Sequence, residues 1–207
     1  MPRKPGFYLR RLEKQTMPAE LREVIRRLHR SLESKKTRAF NNLIRVLGET
    51  PGGTECGPLL FHIAPYLEHE NPAVRSKACI AINLGRVTPN SAVANRLALL
   101  LAEAKDAVAE REALIASRCA AASSMERQKI MLEREFLREG MAALARLGPH
   151  SDQTLMILEG GINDGNKSVS DAAEKALLYI LWHSAPPRGV AKRAHAILRQ
   201  TTEKRLM

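Results

Sequence analysis

An all-α chain is predicted, and three observations predict it. Aromatic residues make up 4% of the 207 residues, with 12 Gly and 11 Pro, a poor supply for a sheet, while Leu, Ala, Arg and Glu recur throughout. Apolar residues return at helical spacing along most of the chain. The composition, 44% hydrophobic and 27% charged, supports a buried core, which excludes disorder as the main state.

After Pro18, residues Leu21, Val24, Ile25, Leu28 and Leu32 fall at i, i+3, i+4, i+7 and i+11. This stripe predicts a helix over 19–33 with Arg22, Arg26 and Arg30 on the other side. Phe40, Leu43, Ile44 and Leu47 predict a second helix over 36–48, stopped by Gly48. Residues 58–69 start with Pro58 at a first helical position and are apolar nearly all round, so this helix packs on more than one side and kinks at Pro65. Asn71 and Pro72 read as N-cap and first-turn proline of a helix ending at Gly85.

From Ser91, an N-cap, ~30 residues lack Gly and Pro, enough for a helix of about 45 Å. Ser123-Ser124 marks a turn before a helix over 126–147 that stops at Gly148-Pro149. A shorter helix runs from Ser151 to Gly160, Asn166 caps the next, Pro186-Pro187 close it, and 188–205 form a last basic helix. The domain reading is a basic, flexible leader over 1–17, a repeat domain over 18–185, and a basic capping helix over 186–207. The repeat domain divides into pairs 19–48, 57–87, 91–148 and 151–184.

The pairs share a pattern. Thr37-Arg38 is followed after eight residues by Leu47-Gly48, Val74-Arg75 by Leu84-Gly85, and Leu137-Arg138 by Leu147-Gly148. In the fourth pair Asn166, Val169, Ala173, Ala176 and Leu177 match Asn71, Val74, Ala78, Ala81 and Ile82 at a constant offset of 95, with Ser170 in place of the arginine. The stretch IAPYLEHENPAVRSKACIAINLG, Ile63 to Gly85, resembles the HEAT repeat family, and the resemblance covers most of 19–184. It implies a short α-solenoid of four helix pairs, in which Arg38, Arg75, Arg138, Gly48, Gly85 and Gly148 are structural positions and each arginine pairs with the adjacent unit. Arg38 to Arg75 spans 37 residues and Arg75 to Arg138 spans 63, so about 26 extra residues, Lys105 to Ile130, extend the third pair into a projecting helical hairpin. Its apolar side chains Leu114, Ile115, Met125, Ile130 and Met131 are candidate partner contacts.

The net charge of +11 is uneven. Residues 1–46 carry 13 Lys/Arg against 4 Asp/Glu, residues 186–207 carry 6 against 1, and residues 47–185 carry 14 against 17. Arg10, Arg11, Arg22, Arg26, Arg27, Arg30, Lys35 and Lys36, together with Lys14, form a candidate basic surface for phosphates or an acidic protein. Only Phe7 and Tyr8 accompany it, which does not support single-strand base stacking.

Signals for chemistry are weak. Cys56, Cys79 and Cys119 form no CxxC pair, the six histidines lack ligand spacing, and Asp occurs only four times, so neither a metal nor a cofactor is expected. Cys56 with His62 as a nucleophile and base has no supporting pattern, no phosphate loop or GxSxG is present, and Trp182, Tyr179 and Tyr66 read as core. No apolar run reaches the ~18 residues of a membrane span and the N-terminus lacks an apolar signal region, so a cytoplasmic protein is expected. The functional expectation is a non-enzymatic protein-binding scaffold, adaptor or regulatory subunit. Nucleic-acid binding through the basic termini is the alternative, and the hairpin also offers a homodimer contact.

Overall fold

Every element among the described residues is helical, and no strand occurs there. The computed structural model describes residues 5–15, 17–49, 58–85, 87–117, 123–148 and 151–206. They fall into two units, Met1–Thr88 and Pro89–Met207, each with its own core.

The first unit contains α1 (Pro5–Leu12), α2 (Ala19–Arg30), α3 (Lys36–Glu49), α4 (Leu59–Ile63) and α5 (Pro72–Leu84). Helix α1 packs on α2, α2 on α3, α3 on α5, and α4 on α5, around Leu21, Ile25, Leu28, Phe40, Leu43, Ile63 and Ile82. The expected flexible leader is helical over Pro5–Leu12 because Tyr8 and Leu12, four residues apart, form a small apolar face that is buried. Helix α2 stops at Arg30, earlier than its apolar stripe predicts. Ser31 turns extended at ψ 145° and its Oγ donates to Leu28 O at 2.8 Å, which leaves Leu32 exposed.

Two prolines act as expected. Pro65, with no N–H to donate, tightens the chain after α4 into a 3-10 turn over Ala64–Glu68. Pro72 opens α5 behind Asn71, whose Oδ1 accepts from the Ala73 N–H at 2.9 Å. The two repeat-position glycines of this unit, Gly48 and Gly85, differ. Gly48 lies inside α3, which runs on to Glu49, so it does not stop the helix. Gly85 follows α5, and a Cβ there would run into the Leu59 side chain and lie 2.9 Å from Ala81 O.

The second unit contains α6 (Ser91–Ser117), α7 (Ser124–Leu147), α8 (Asp152–Ile162), α9 (Lys167–His183) and α10 (Arg188–Leu206). Helix α7 packs against α6 and α9, α8 against α9 and α6, and α10 against α8 and α9. The core holds Leu97, Leu101, Phe136, Leu144, Leu155, Leu158, Ala173, Leu177 and Ile180, with Ala194 and Ile197 from α10. Asn90, not Ser91, caps α6, accepting from the Val93 N–H at 3.0 Å, while its own N–H donates to Leu147 O at 2.6 Å. The start of α7 is a capping box. Ser123 Oγ accepts from the Glu126 N–H and the Glu126 carboxylate accepts from the Ser123 N–H. Ser151 and Asn166 cap α8 and α9 as expected. Gly148 follows the end of α7 and is buried. Ala185, between α9 and Pro186, has a φ of 42°.

Candidate functional site

Among the described residues the predicted hairpin is helical, α6 extending to Ser117 and α7 beginning at Ser124. Arg134 pairs with Glu112 across the hairpin, and Arg111 lies 3.9 Å from Glu133. Its base belongs to the unit's core, since Val108 is buried and the Lys105 ammonium donates to Gly160 O at 2.8 Å. Of the five predicted contact residues, Met125 (64% exposed), Met131 (59%) and Leu114 (44%) face solvent. Ile115 is half-buried, and Ile130 is buried, contrary to its expected contact role, because it lies where α7 enters the packed stem. Ile130 and Met131 contribute to a groove beside α7 and the start of α9, with Arg127, Arg134, Glu112, Arg138, Glu135, Asn166 and Ser168 around it.

The predicted basic surface separates into three groups. Arg22 Nη2 donates to Gln15 O at 3.3 Å and Met17 O at 3.1 Å, tying the α1–α2 connection down, while Arg11 sits over the Phe61 ring at 4.3 Å and Arg10 donates to Gly6 O within its own helix. Arg26 and Arg27 both pair with Glu23, and these bonds hold the Glu23 carboxyl below its usual range, Arg27 first. Arg30 and Lys35 are exposed. Arg27 and Lys35 line a groove between α2 and α3 together with Arg38, Asn42 and Arg45.

Lys36, predicted on this basic surface, lies inside the fold instead. It is buried, and its ammonium donates at 3.0 Å to Leu28 O, the same carbonyl near the end of α2 that accepts from Ser31 Oγ. Burial lowers its pKa, a shift that the charge of Glu33 opposes.

Lys36 also ends a polar chain that residue spacing does not reveal. Gln15 Oε1 lies 2.8 Å from His62 Nε2, His62 Nδ1 3.1 Å from His29 Nε2, His29 Nδ1 3.1 Å from the Tyr66 hydroxyl, and that hydroxyl 3.5 Å from Lys36 Nζ. Tyr8 stacks on His29 with ring centroids 4.9 Å apart and 9° between planes. Burial pushes His29 down to about 3, helped by His62 and Lys36, and pushes His62 down to about 4, helped by Arg11. Burial, then Glu33, raises the Tyr66 hydroxyl. Both imidazoles are therefore neutral near pH 7, able to donate from one nitrogen and accept at the other. The available signal was His62 and Tyr66, four residues apart in a segment apolar all round.

The repeat positions are not equivalent. Arg138 makes two bonds to Glu139 Oε1, at 2.9 and 2.7 Å, on its own helix, Arg38 is exposed, and Arg75 is half-buried. Trp182, expected in the core, is 78% exposed near the end of α9, while Tyr179 lies under Arg146 at 4.9 Å. Cys79 is buried, and Cys56 and Cys119 lie outside the described residues. Among the described residues no group of three or more His, Cys, Asp or Glu could hold a metal, and no helix is long and apolar enough to cross a membrane. Comparison of the chain with protein-family models, with curated proteins and with solved structures finds no match.

Proposed function

We propose that this chain is a non-enzymatic protein-binding module whose helix pairs are HEAT-like repeats and whose α6–α7 hairpin is the recognition element. One observation carries the reading. A capped, ion-paired helical hairpin holds Leu114, Met125 and Met131 out in solvent, beside a groove edged by arginines and glutamates. Exposed thioethers on a rigid stem suit a helix-in-groove mode, in which an amphipathic partner helix lays its apolar face along the methionines and its charges among the groove's own.

Two further observations favour a scaffold. Asn71 and Asn166 cap corresponding helices, and Val74 and Val169, Ala78 and Ala173, and Ala81 and Ala176 are all buried, as packing repeats require. The buried His29–His62–Tyr66 chain is paired internally and stacked beneath Tyr8, an arrangement suited to holding α1, α2 and α4 together rather than to meeting a substrate.

The test is a comparative affinity purification from the native host with nuclease added. The wild-type chain is expected to retain a discrete protein that the Leu114→Gln, Met125→Gln, Met131→Gln variant loses, with both proteins equally helical by circular dichroism. Identical retained proteins for the two chains would refute the hairpin as the recognition element.

A further inference from the structure

The groove between α2 and α3 lies in the other unit and is chemically unlike the hairpin. Arg27, Lys35, Arg38 and Arg45 line it with Ser31 and Asn42, and no carboxylate is among its lining residues. Arg27 and Arg45, toward its ends, pair with Glu23 at 3.0 Å and Glu49 at 2.6 Å. Between them, Lys35 and Arg38 are exposed and have no acidic partner among the described residues.

We infer that this groove binds the phosphate backbone of duplex nucleic acid, without reading its sequence. The positions along the chain, 35, 38, 42 and 45, follow one stripe spanning about 15 Å at 1.5 Å per residue. One duplex strand presents a phosphate about every 3.4 Å of helix axis, so the stripe runs past roughly four phosphates. The side chains of the stripe can all donate, through guanidinium, ammonium or amide groups, which suits an acceptor-only backbone. An acidic protein would want an apolar anchor at the centre of its contact, and the groove offers only buried Val24 and half-buried Ala39. With no aromatic ring in the lining there is no platform for unpaired bases, so a duplex fits better than a single strand.

The test is fluorescence anisotropy of the full chain with a labelled duplex DNA of arbitrary sequence, titrated between 50 and 200 mM salt. Two to four neutralised phosphates predict a 10- to 150-fold weakening over that range, on the order of what counterion release gives, and a second duplex of unrelated sequence should behave alike. The Lys35→Gln, Arg38→Gln variant should reduce the slope of log affinity against log salt by about 2. Arg188→Gln, Lys192→Gln removes the same charge from α10 and should change the slope by less than half as much. An Arg27→Gln, Arg45→Gln variant, expected to lower the slope in the same direction, gives an independent reading should the first pair fail to fold. No binding at 50 mM salt, a slope indifferent to Lys35 and Arg38, an equal loss from the α10 variant, or polyglutamate binding in place of the duplex would each overturn the inference.

Discussion

Gly48 and Gly85 hold the same place in two copies of the Leu-Gly pattern, yet their surroundings give them opposite roles. Nothing lies within 4 Å of a Cβ built on Gly48, which is exposed and helical, so Gly48→Ala should raise stability by about 0.5 kcal/mol through the lower entropy of the unfolded chain. Gly85→Ala must displace Leu59 and crowd Ala81 O, and should cost about 1–3 kcal/mol. Denaturant titration of the two variants checks both signs. The difference marks what single residues disclose. Asn71, Asn166 and Ser151 were legible as caps because a cap acts on backbone groups two or three positions away. Trp182 and Lys36 were not. Which face of a helix meets a neighbour is settled by elements far along the chain, and this leaves a tryptophan in solvent and takes a lysine inside.

At the scale of elements, helices were legible wherever the apolar period was clear, and least so at ends decided by local hydrogen bonding, such as α2 at Ser31 and α6 at Asn90. The repeat spacing places the insertion at Lys105 to Ile130, but part of that segment belongs to the core. Lys105 and Val108 serve the core, so excising Lys105 to Ile130 would remove structure along with surface. Replacing residues 113–129 by a short Gly-rich turn together with Met131→Gln, which keeps the buried Ile130, should preserve cooperative unfolding of the second unit while abolishing partner capture. Loss of cooperativity would show the hairpin to be part of the core. The cap at the start of α7 gives a milder probe. Ser123→Ala removes the oxygen that accepts from the Glu126 N–H and should cost about 1 kcal/mol, read as faster hydrogen exchange in the first turn of α7.

For the molecule as a whole, division of the charge mattered more than its total, because the positive excess of residues 1–46 is partly consumed inside the fold. Arg22 and Lys36 bond backbone carbonyls and Arg11 covers Phe61, while Lys35 and Arg38 remain on the surface. The buried imidazoles give folding a pH signature. Burial holds them at about 3 for His29 and about 4 for His62, below the ordinary histidine value of 6.5, so the unfolded chain binds more protons as pH falls. Their contribution to stability is complete above about pH 6.5 and declines below it, by at most ~1.4 kcal/mol per pH unit for each histidine, down to the folded values. Denaturant unfolding at pH 7.5, 6 and 5 should show this decline, and His62→Gln should roughly halve its slope. The central claim, that the hairpin recognises a protein, is tested most directly by a photo-crosslinking side chain placed either at Met131 or at Met156, an exposed methionine of α8, in the native host. Recognition by the hairpin predicts a discrete protein adduct from position 131 and none from 156; adducts shared by both positions, or none from 131, would contradict it.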